Sequence, residues 1–295
     1  MVFGGTGTIG AACCTRLCQE GSQVAVYTRR QSIDIADAEI FSGDVTDGPS
    51  VGAAIAAWKP DAVLQLAACL QQEAEENPEL GIAVNVSGAA NILRAAAEAG
   101  IKRFVYGSSI AAYGDRGDLM RESDAPSASI SIYGLQKLLG EKLGKRYAER
   151  SAFSFAALRY SGVFSAHPPS GAGMALARYK ILKTAMGGNA EIDFASGEET
   201  CHLTYVDDAV EATVRALFAS GLRHDIYNVG GPEENFISLH ALHDQVRQIV
   251  PTAGDVVFSG RARSAGPLDL NRAHDDLGFR PRFKIVDVLQ DLLAA

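Results

Sequence analysis

A phenol and an ammonium stand four residues apart in Tyr133-Gly134-Leu135-Gln136-Lys137. On a helix this separation puts both side chains on one face, where the lysine can favour the phenolate and lower a pKa of about 10 in water. A tyrosine so tuned can exchange a proton with a substrate hydroxyl while the carbon bearing it exchanges hydride with a nicotinamide. Upstream, Phe104-Val105-Tyr106 runs into Gly107-Ser108-Ser109, and a hydroxyl at that strand end can hydrogen-bond the same substrate oxygen and steady its charge. Ser109, Tyr133 and Lys137 are therefore the candidate catalytic residues.

A second constellation handles phosphate. Gly4-Gly5-Thr6-Gly7-Thr8-Ile9-Gly10 spaces glycines three apart, and glycine lacks the Cβ that keeps backbone amides from closing on a pyrophosphate where a strand turns into a helix. Met1-Val2-Phe3 is an apolar stub, short beside the usual five or six residues of a strand. From Ile9 to Gln19 the apolar residues recur at helical spacing. Strand, turn and helix stand in the order a dinucleotide cradle requires, which makes Gly4, Gly7, Thr8, Ile9 and Gly10 cofactor-binding candidates. After the second expected strand, 24–27, an NAD-preferring fold usually offers a carboxylate to the ribose; this chain offers Thr28-Arg29-Arg30, whose guanidinium groups could hold a ribose phosphate. NADP is favoured on charge, NAD remains possible, and the plainer alternative leaves both arginines in a solvated loop. Each motif can arise by chance; together, in this order, they point to a nicotinamide-dependent oxidoreductase.

The elements that must position these groups are legible as an alternation. Strands are expected at 39–42, 62–66, 103–106 and 153–159, and helices at 50–58, 80–99 and 132–149, the rhythm of an α/β, doubly wound parallel sheet. Beyond Tyr160 the rhythm loosens through a Gly-, Pro- and Ser-rich stretch, 162–173, and a helix at 174–186. Segments 203–206 and 226–229 and a helix capped by Asp207 or Asp208 are expected to return to the sheet. The dinucleotide-binding part is expected at 1–160 and about 198–231, with a substrate-binding cap at about 161–197 and 232–295.

Composition narrows the class. The chain has 295 residues, 47% of them hydrophobic, and a net charge of −8 without a dense Lys/Arg run, which argues against nucleic-acid or anionic-membrane binding. Five cysteines, Cys13, Cys14, Cys18, Cys69 and Cys201, form neither a paired framework nor zinc-finger spacing, so a reduced cytoplasmic setting is expected. No leader ahead of the glycine turn and no apolar span near the roughly 20 residues of a membrane helix are expected. His240 and His243 lack a third ligand, so no metal is expected. Glu73, Glu75 and Glu76 read as a solvated loop or helix start, and His167 and His202 as candidates to border the substrate pocket.

The whole series resembles an extended short-chain dehydrogenase/reductase of the NAD-dependent epimerase/dehydratase family. The matching segments, in order, are the glycine loop, Gly43-Asp44-Val45-Thr46-Asp47, Leu66-Ala67-Ala68, Asn85 to Asn91, Tyr106 to Gly114, Tyr133 to Lys137, Val206-Asp207-Asp208 and Tyr227-Asn228-Val229-Gly230. The resemblance implies a Rossmann-type sheet with a smaller C-terminal substrate-binding region. It makes Ser109 the catalytic hydroxyl, Tyr133 the acid/base, and Lys137 its tuner and a ribose ligand. Asp44 and Val45 would touch adenine; Leu66, Ala67 and Ala68 would lie along the cofactor; Asn85 would support the active-site helix. Pairing into a homodimer through 80–99 and 132–149 is also implied by resemblance alone.

Departures from the family pattern bear on the substrate. Dehydratases carry Asp-Glu after the catalytic hydroxyl, and Ile110-Ala111 cannot supply that acid/base pair, so dehydration is not expected. Where nucleotide-sugar epimerases have an Asn after Arg-Tyr-x, this chain has Gly162, and Cys201 replaces an arginine that could pair with a diphosphate. Arg261 or Arg263 could still serve a phosphate. Ser109, Ile110, Ala111, Tyr160, Gly162 and Arg261 are the substrate-side candidates. The expected substrate is a small molecule, a sugar or nucleotide-sugar-like carbinol or ketone, handled by epimerisation or simple oxidation and reduction. The alternatives are a small non-nucleotide alcohol or ketone, or a cofactor sensor without catalysis.

Overall fold

Strands such as Val24-Ala25-Val26-Tyr27, apolar at every position, suit a sheet covered on both faces. The computed structural model describes residues 1–29, 35, 37–165, 174–261 and 265–294, without the side chains of 291, 292 and 294, so Arg30, His167 and Arg263 lie outside the described residues. In chain order the first half contains β1 (Val2–Phe3), α1 (Thr8–Gln19), β2 (Val24–Thr28), β3 (Ala38–Ser42), α2 (Gly48–Trp58), β4 (Ala62–Gln65), α3 (Gln71–Glu76), α4 (Pro78–Gly81), α5 (Ala89–Ala99), β5 (Arg103–Ser109) and α6 (Ile132–Ala148). The second half adds β6 (Ser154–Tyr160), β7 (Gly162–Phe164), α7 (Met174–Lys183), β8 (Ala190–Ile192), β9 (Thr200–Tyr205), α8 (Val206–Phe218), β10 (Ile226–Val229), β11 (Phe236–Ser238), α9 (Leu239–Ile249), β12 (Val256–Phe258), α10 (Asn271–Leu277) and α11 (Ile285–Ala294).

Seven parallel strands form the main sheet in the order β10-β6-β5-β4-β1-β2-β3. Its order reverses between β1 and β4, and their carboxyl ends open the crevice where doubly wound folds bind ligands. Side chains alternate between the faces. Val2, Val24, Val26, Leu64 and Val105 pack with Cys13, Cys14 and Leu17 of α1 and with Val210 and Val214 of α8. Phe3, Ala25, Tyr27, Val63, Phe104 and Tyr106 pack with Val51 and Ile55 of α2 and with Ile92 and Leu93 of α5. A separate core joins Ile181 and Leu182 of α7 to Ile192, Leu203, Leu242 and Leu289. All five cysteines are free, and four are buried.

Three expectations are corrected. The segment expected to rejoin the main sheet at 203–206 lies in β9, which pairs with β7 and β11 in a three-stranded sheet; only β10 returns to the main sheet. Neither Asp207 nor Asp208 caps α8, whose N-cap is Tyr205. The Asp208 carboxylate is fully buried and accepts the Arg282 and Phe283 amides at 2.9 and 3.1 Å. The helix expected over 80–99 is broken by a π-helical segment, Ile82–Gly88, between α4 and α5. Taken together, Pro78–Ala99 has the length and the mean hydropathy, 1.3, of a membrane span by composition, though polar and charged residues interrupt it; half of its most apolar window is buried inside this fold, and α5 belongs to the core.

Candidate functional site

At the carboxyl edge of β1, Gly4 has φ +83°, and a Cβ there would lie 2.5 Å from the Ala67 nitrogen; a Cβ on Gly10 would overlap the Gly4 carbonyl oxygen. The turn therefore requires glycine at both positions. Gly7 precedes α1 in an extended conformation and no side chain caps that end, so the first helical amides and the positive end of the helix dipole face the crevice. A cleft of about 1250 Å³ extends from here, and all of the candidates Gly4, Gly7, Thr8, Ile9, Gly10, Thr28, Arg29, Asp44, Val45, Leu66, Ala67, Ala68, Ser109, Ile110, Ala111, Tyr133, Lys137, Tyr160, Gly162 and Arg261 line it.

At the end of the cleft beside β2 and β3, Asp44 accepts both the Thr46 N–H and hydroxyl at 2.9 Å, and the Arg29 guanidinium lies 3.8 Å from its other oxygen. Burial works against the Asp44 charge, yet these bonds and Arg29 hold its pKa below the usual carboxylate value. Arg29 itself is largely exposed.

The end that holds the catalytic candidates is drier. Ser109 ends β5 and caps the short 3₁₀ turn Ile110–Tyr113, its Oγ accepting the Ala111 amide at 3.1 Å. Ser131 starts α6 by accepting the Gly134 amide at 3.1 Å, which carries Tyr133 and Lys137 into the cleft wall, both buried. Lys137 Nζ donates to the Gly107 carbonyl at 2.7 Å and lies 5.6 Å from the centre of the Tyr133 ring and 5.1 Å from that of Tyr106. The spacing argument expects a lowered phenol pKa, and the structure shows the opposite direction. Burial, with Cys69 adding to it, raises Tyr133 well above its ordinary value, more than the Ser109 hydroxyl offsets. Burial also lowers Lys137 to about 8, against the pull of Glu141. Desolvation penalises both charged forms, so proximity on one helical face does not by itself produce a phenolate.

Of three supports of this end, the resemblance implies only Asn85; Glu75 and the Glu141–Arg159 pair were not read from sequence. Glu75, within the acidic run taken for a solvated segment, accepts the Tyr133 amide at 3.0 Å and so helps cap α6. Asn85, in the π-helical segment, accepts the Cys69 amide at 2.9 Å and donates to the Cys69 carbonyl at 2.9 Å and to Gln136 Oε1 at 2.7 Å. It thus ties the loop after β4 to α6. Behind the catalytic candidates, Glu141 takes a bidentate pair of bonds from Arg159 at 2.8 and 2.7 Å and the Ser108 hydroxyl at 2.5 Å. The buried bidentate pair, whose Arg159 Nη1 has no hydrogen-bond partner among the described residues and whose guanidinium lies over the Tyr113 ring, ties β5, β6 and α6 together.

On the substrate side the placements are mixed. The Tyr160 hydroxyl is spent on Thr213 Oγ1 at 2.6 Å, inside the core; its polar tip is not offered to a ligand. His202 does not line the cleft. Its Nδ1 accepts the Leu268 amide at 3.3 Å, so the proton sits on Nε2 and is donated to the Pro232 carbonyl at 3.0 Å; burial lowers its pKa. His240 and His243 diverge, His243 bonding the Gly254 carbonyl and His240 packing on Phe258. Among the described residues no group of three or more His, Cys, Asp or Glu side chains is placed to hold a metal. Arg178 of α7, which the sequence reading passed over, lines the cleft as a buried guanidinium. A lone arginine inside a helix carries no pattern that would have singled it out.

The model of the NAD dependent epimerase/dehydratase family matches residues 1–230. A UDP-glucose 4-epimerase of Lactobacillus helveticus is 28% identical, over 97% of this chain and 93% of its own. Among solved structures, a monomeric L-threonine 3-dehydrogenase from a metagenome superposes with a TM-score of 0.89 at 23% identity, covering 99% of this chain and 97% of its own. The UDP-glucose 4-epimerase of Thermus thermophilus, solved in complex with NAD, superposes with a TM-score of 0.85 at 23% identity, covering 100% and 98%.

Proposed function

Because the chain belongs to the NAD dependent epimerase/dehydratase family, of the extended short-chain dehydrogenase/reductase type, we propose that it moves hydride at a carbinol or ketone of a sugar or nucleotide-sugar-like substrate, with Ser109, Tyr133 and Lys137 as its catalytic residues. One observation carries this reading: the three side chains and the glycine cradle line the same cleft. We further propose that 1–160 and about 198–231 hold the dinucleotide and the remainder caps it. The exposed Ile82, Leu135 and Leu139 on the helices named for pairing support a homodimer. The five unpaired thiols support a reducing, cytoplasmic setting.

The cradle fits a dinucleotide, since the glycine approaches described above leave room for a pyrophosphate and the open end of α1 supplies donors to it. The nicotinamide, when bound, supplies hydride acceptance and return. Everything else falls to the chain. Ser109 Oγ already accepts an amide, so its own proton is available to the substrate oxygen. Tyr133, neutral because it is buried, suits proton donation to a carbonyl oxygen. Lys137 spends one N–H on Gly107 and keeps two for the phenol and a ribose.

For the cofactor, the Thermus relative binds NAD, and this family is NAD-dependent. Arg29 supports acceptance of NADP as well, favoured on charge, because it is exposed and its neighbouring carboxylate, Asp44, lies 3.8 Å away. Replacing Arg29→Ala should then weaken NADP by about tenfold and leave NAD within about twofold; NAD binding much tighter than NADP in the parent protein would reject the preference. A second reading, a dehydrogenase of a small non-nucleotide substrate, is favoured by Cys201 and by the threonine dehydrogenase likeness.

The deciding experiment follows nicotinamide absorbance with UDP-sugars, free sugars, L-threonine and small ketones. Inversion without net absorbance change supports epimerisation, and a stoichiometric change supports oxidation or reduction. In either case Tyr133→Phe should lower kcat by about 10²–10⁴. Parent-level turnover in that variant would remove Tyr133 from the mechanism.

A further inference from the structure

Arg178 is 94% buried, since only 6% of it is exposed, and its Nε has no hydrogen-bond partner among the described residues. Among the described residues the group that pulls on its charge is the Cys201 thiol, not a carboxylate. The acidic residue closest in sequence to its contacts, Glu199, spends both oxygens on the Ser196 and Gly197 amides at 2.7 Å. Segments 166–173 and 262–264 contain no acidic residue at all. Burying a guanidinium without a counter-charge is costly, and desolvation lowers the Arg178 pKa, with only the Cys201 thiol pulling against it.

The surroundings are cut to admit this group. A Cβ on Gly162 would lie 2.8 Å from both Arg178 Nη2 and Cys201 Sγ. Gly162 and Cys201 are the two positions at which the sequence departs from the nucleotide-sugar pattern; a side chain at 162 would collide with the Arg178 guanidinium, and the Cys201 thiol hydrogen-bonds it. A guanidinium delivered from α7 therefore stands beside position 201. The cleft that Arg178 lines is the one that holds Ser109 and Tyr133, and Arg261 lines it too.

We propose that Arg178 is the oxyanion-binding residue of the cap half of the cleft, receiving a phosphate or carboxylate group of the substrate. This rests on the reading of the cleft as a substrate site. The guanidinium presents a planar fork suited to either group. A diphosphate would come with a nucleotide sugar, and a carboxylate with a small hydroxy acid, so the source of the anion also decides between the two substrate classes above.

The test measures thermal shifts and titration calorimetry on the full chain saturated with NAD, so that the glycine cradle is filled, using UDP, pyrophosphate and L-threonine as probes. The variant is Arg178→Met, which keeps length and removes charge, with Arg178→Lys as the conservative control. At least one probe should bind the parent protein, and its affinity should fall about tenfold to a hundredfold in Arg178→Met, with partial retention in Arg178→Lys. UDP and pyrophosphate binding alone identifies a phosphate site; L-threonine binding alone identifies a carboxylate site. Without a probe, Arg178→Met should be at least as thermostable as the parent, since an uncompensated buried charge is removed. Equal probe affinity in parent and variant, failure of all three probes to bind the parent, or a large loss of Tm in Arg178→Met without probe would each overturn the proposal. Absence of an NAD-induced shift in the parent would instead count against the cofactor reading, while the comparison of parent and variant still decides this one.

Discussion

At the scale of residues, type and spacing single out Tyr133, Lys137 and Ser109 as candidates that share one cleft, but not their electrostatics. A pattern four residues apart says which face two groups share; it does not say how much water the fold leaves them. Here burial dominates, raising Tyr133 and lowering Lys137 to about 8. The two protonation states needed for the two directions of reaction are therefore not equally available. Alcohol oxidation needs the phenolate, whose population grows about tenfold per pH unit below the phenol pKa. Carbonyl reduction needs the phenol, which is already dominant at neutral pH. Oxidation should therefore climb through pH 7–10 while reduction stays level or falls, as initial rates in each direction with saturating cofactor would reveal. An oxidation rate independent of pH over that interval, with hydride transfer shown to be rate-limiting, would contradict the assignment. The same limit of local pattern explains Tyr160 and Glu75. A tyrosine beside a site can send its hydroxyl to Thr213, and a glutamate in an acidic run can reach across to the Tyr133 amide.

At the scale of elements, strands and helices of the first half were legible because parallel strands buried on both faces read as continuous apolar runs, and their flanking helices carry one apolar face. Ser131 and Asp47 each mark a helix start by accepting an amide three residues on. The π-helical segment was not legible. Its residues, Ile82 to Gly88, are mostly weak helix formers but carry no pattern particular to a wider turn, and the partners of that turn lie far along the chain: Asn85 bonds both backbone groups of Cys69 and the side chain of Gln136. Such a turn costs regular helical bonding and persists where side-chain contacts hold it. Asn85→Ala should therefore leave a buried amide and carbonyl of Cys69 without side-chain partners and cost about 2–4 kcal/mol. It should also lower kcat, since α6 carries Tyr133 three residues before Gln136. Urea unfolding gives the first quantity, and hydrogen exchange at the Cys69 amide locates it. Unchanged protection of that amide would show that the segment is held by packing alone.

At the scale of the whole molecule, a doubly wound parallel sheet could be expected from the alternation of strands and helices. The attachment of the C-terminal third could not, because it rests on single polar side chains meeting distant backbone. Asp208, at the start of a helix packed on the main sheet, looks in sequence like a helix cap. Its carboxylate instead accepts two successive amides, Arg282 and Phe283, more than seventy positions away. Asn235 does the complementary work, donating to the Leu203 and Phe283 carbonyls at 3.2 and 2.9 Å and accepting the Ile285 amide at 3.3 Å. Phe283 then stacks on Tyr205 at 5.2 Å, and Tyr205 on Phe164 at 5.5 Å, so the segment entering α11 is fastened beside β7 and β9. Those strands lead to Gly162 and Cys201, the walls of the Arg178 pocket. Loosening residue 208 should therefore reach the cleft through geometry without touching the reacting groups. Asp208→Ala should cost about 2–3 kcal/mol, because two amides lose a charged acceptor, and Asp208→Asn about half as much, because one acceptor oxygen remains. Exchange should accelerate at the Arg282 and Phe283 amides while the β4 and β5 amides stay protected. Substrate KM should rise several-fold with kcat within about twofold, the signature of lost binding that is equal in ground and transition states. A fall in kcat at unchanged KM would mean instead that α8 transmits to β5 and the catalytic end, and that the C-terminal segment is not what Asp208 holds in place.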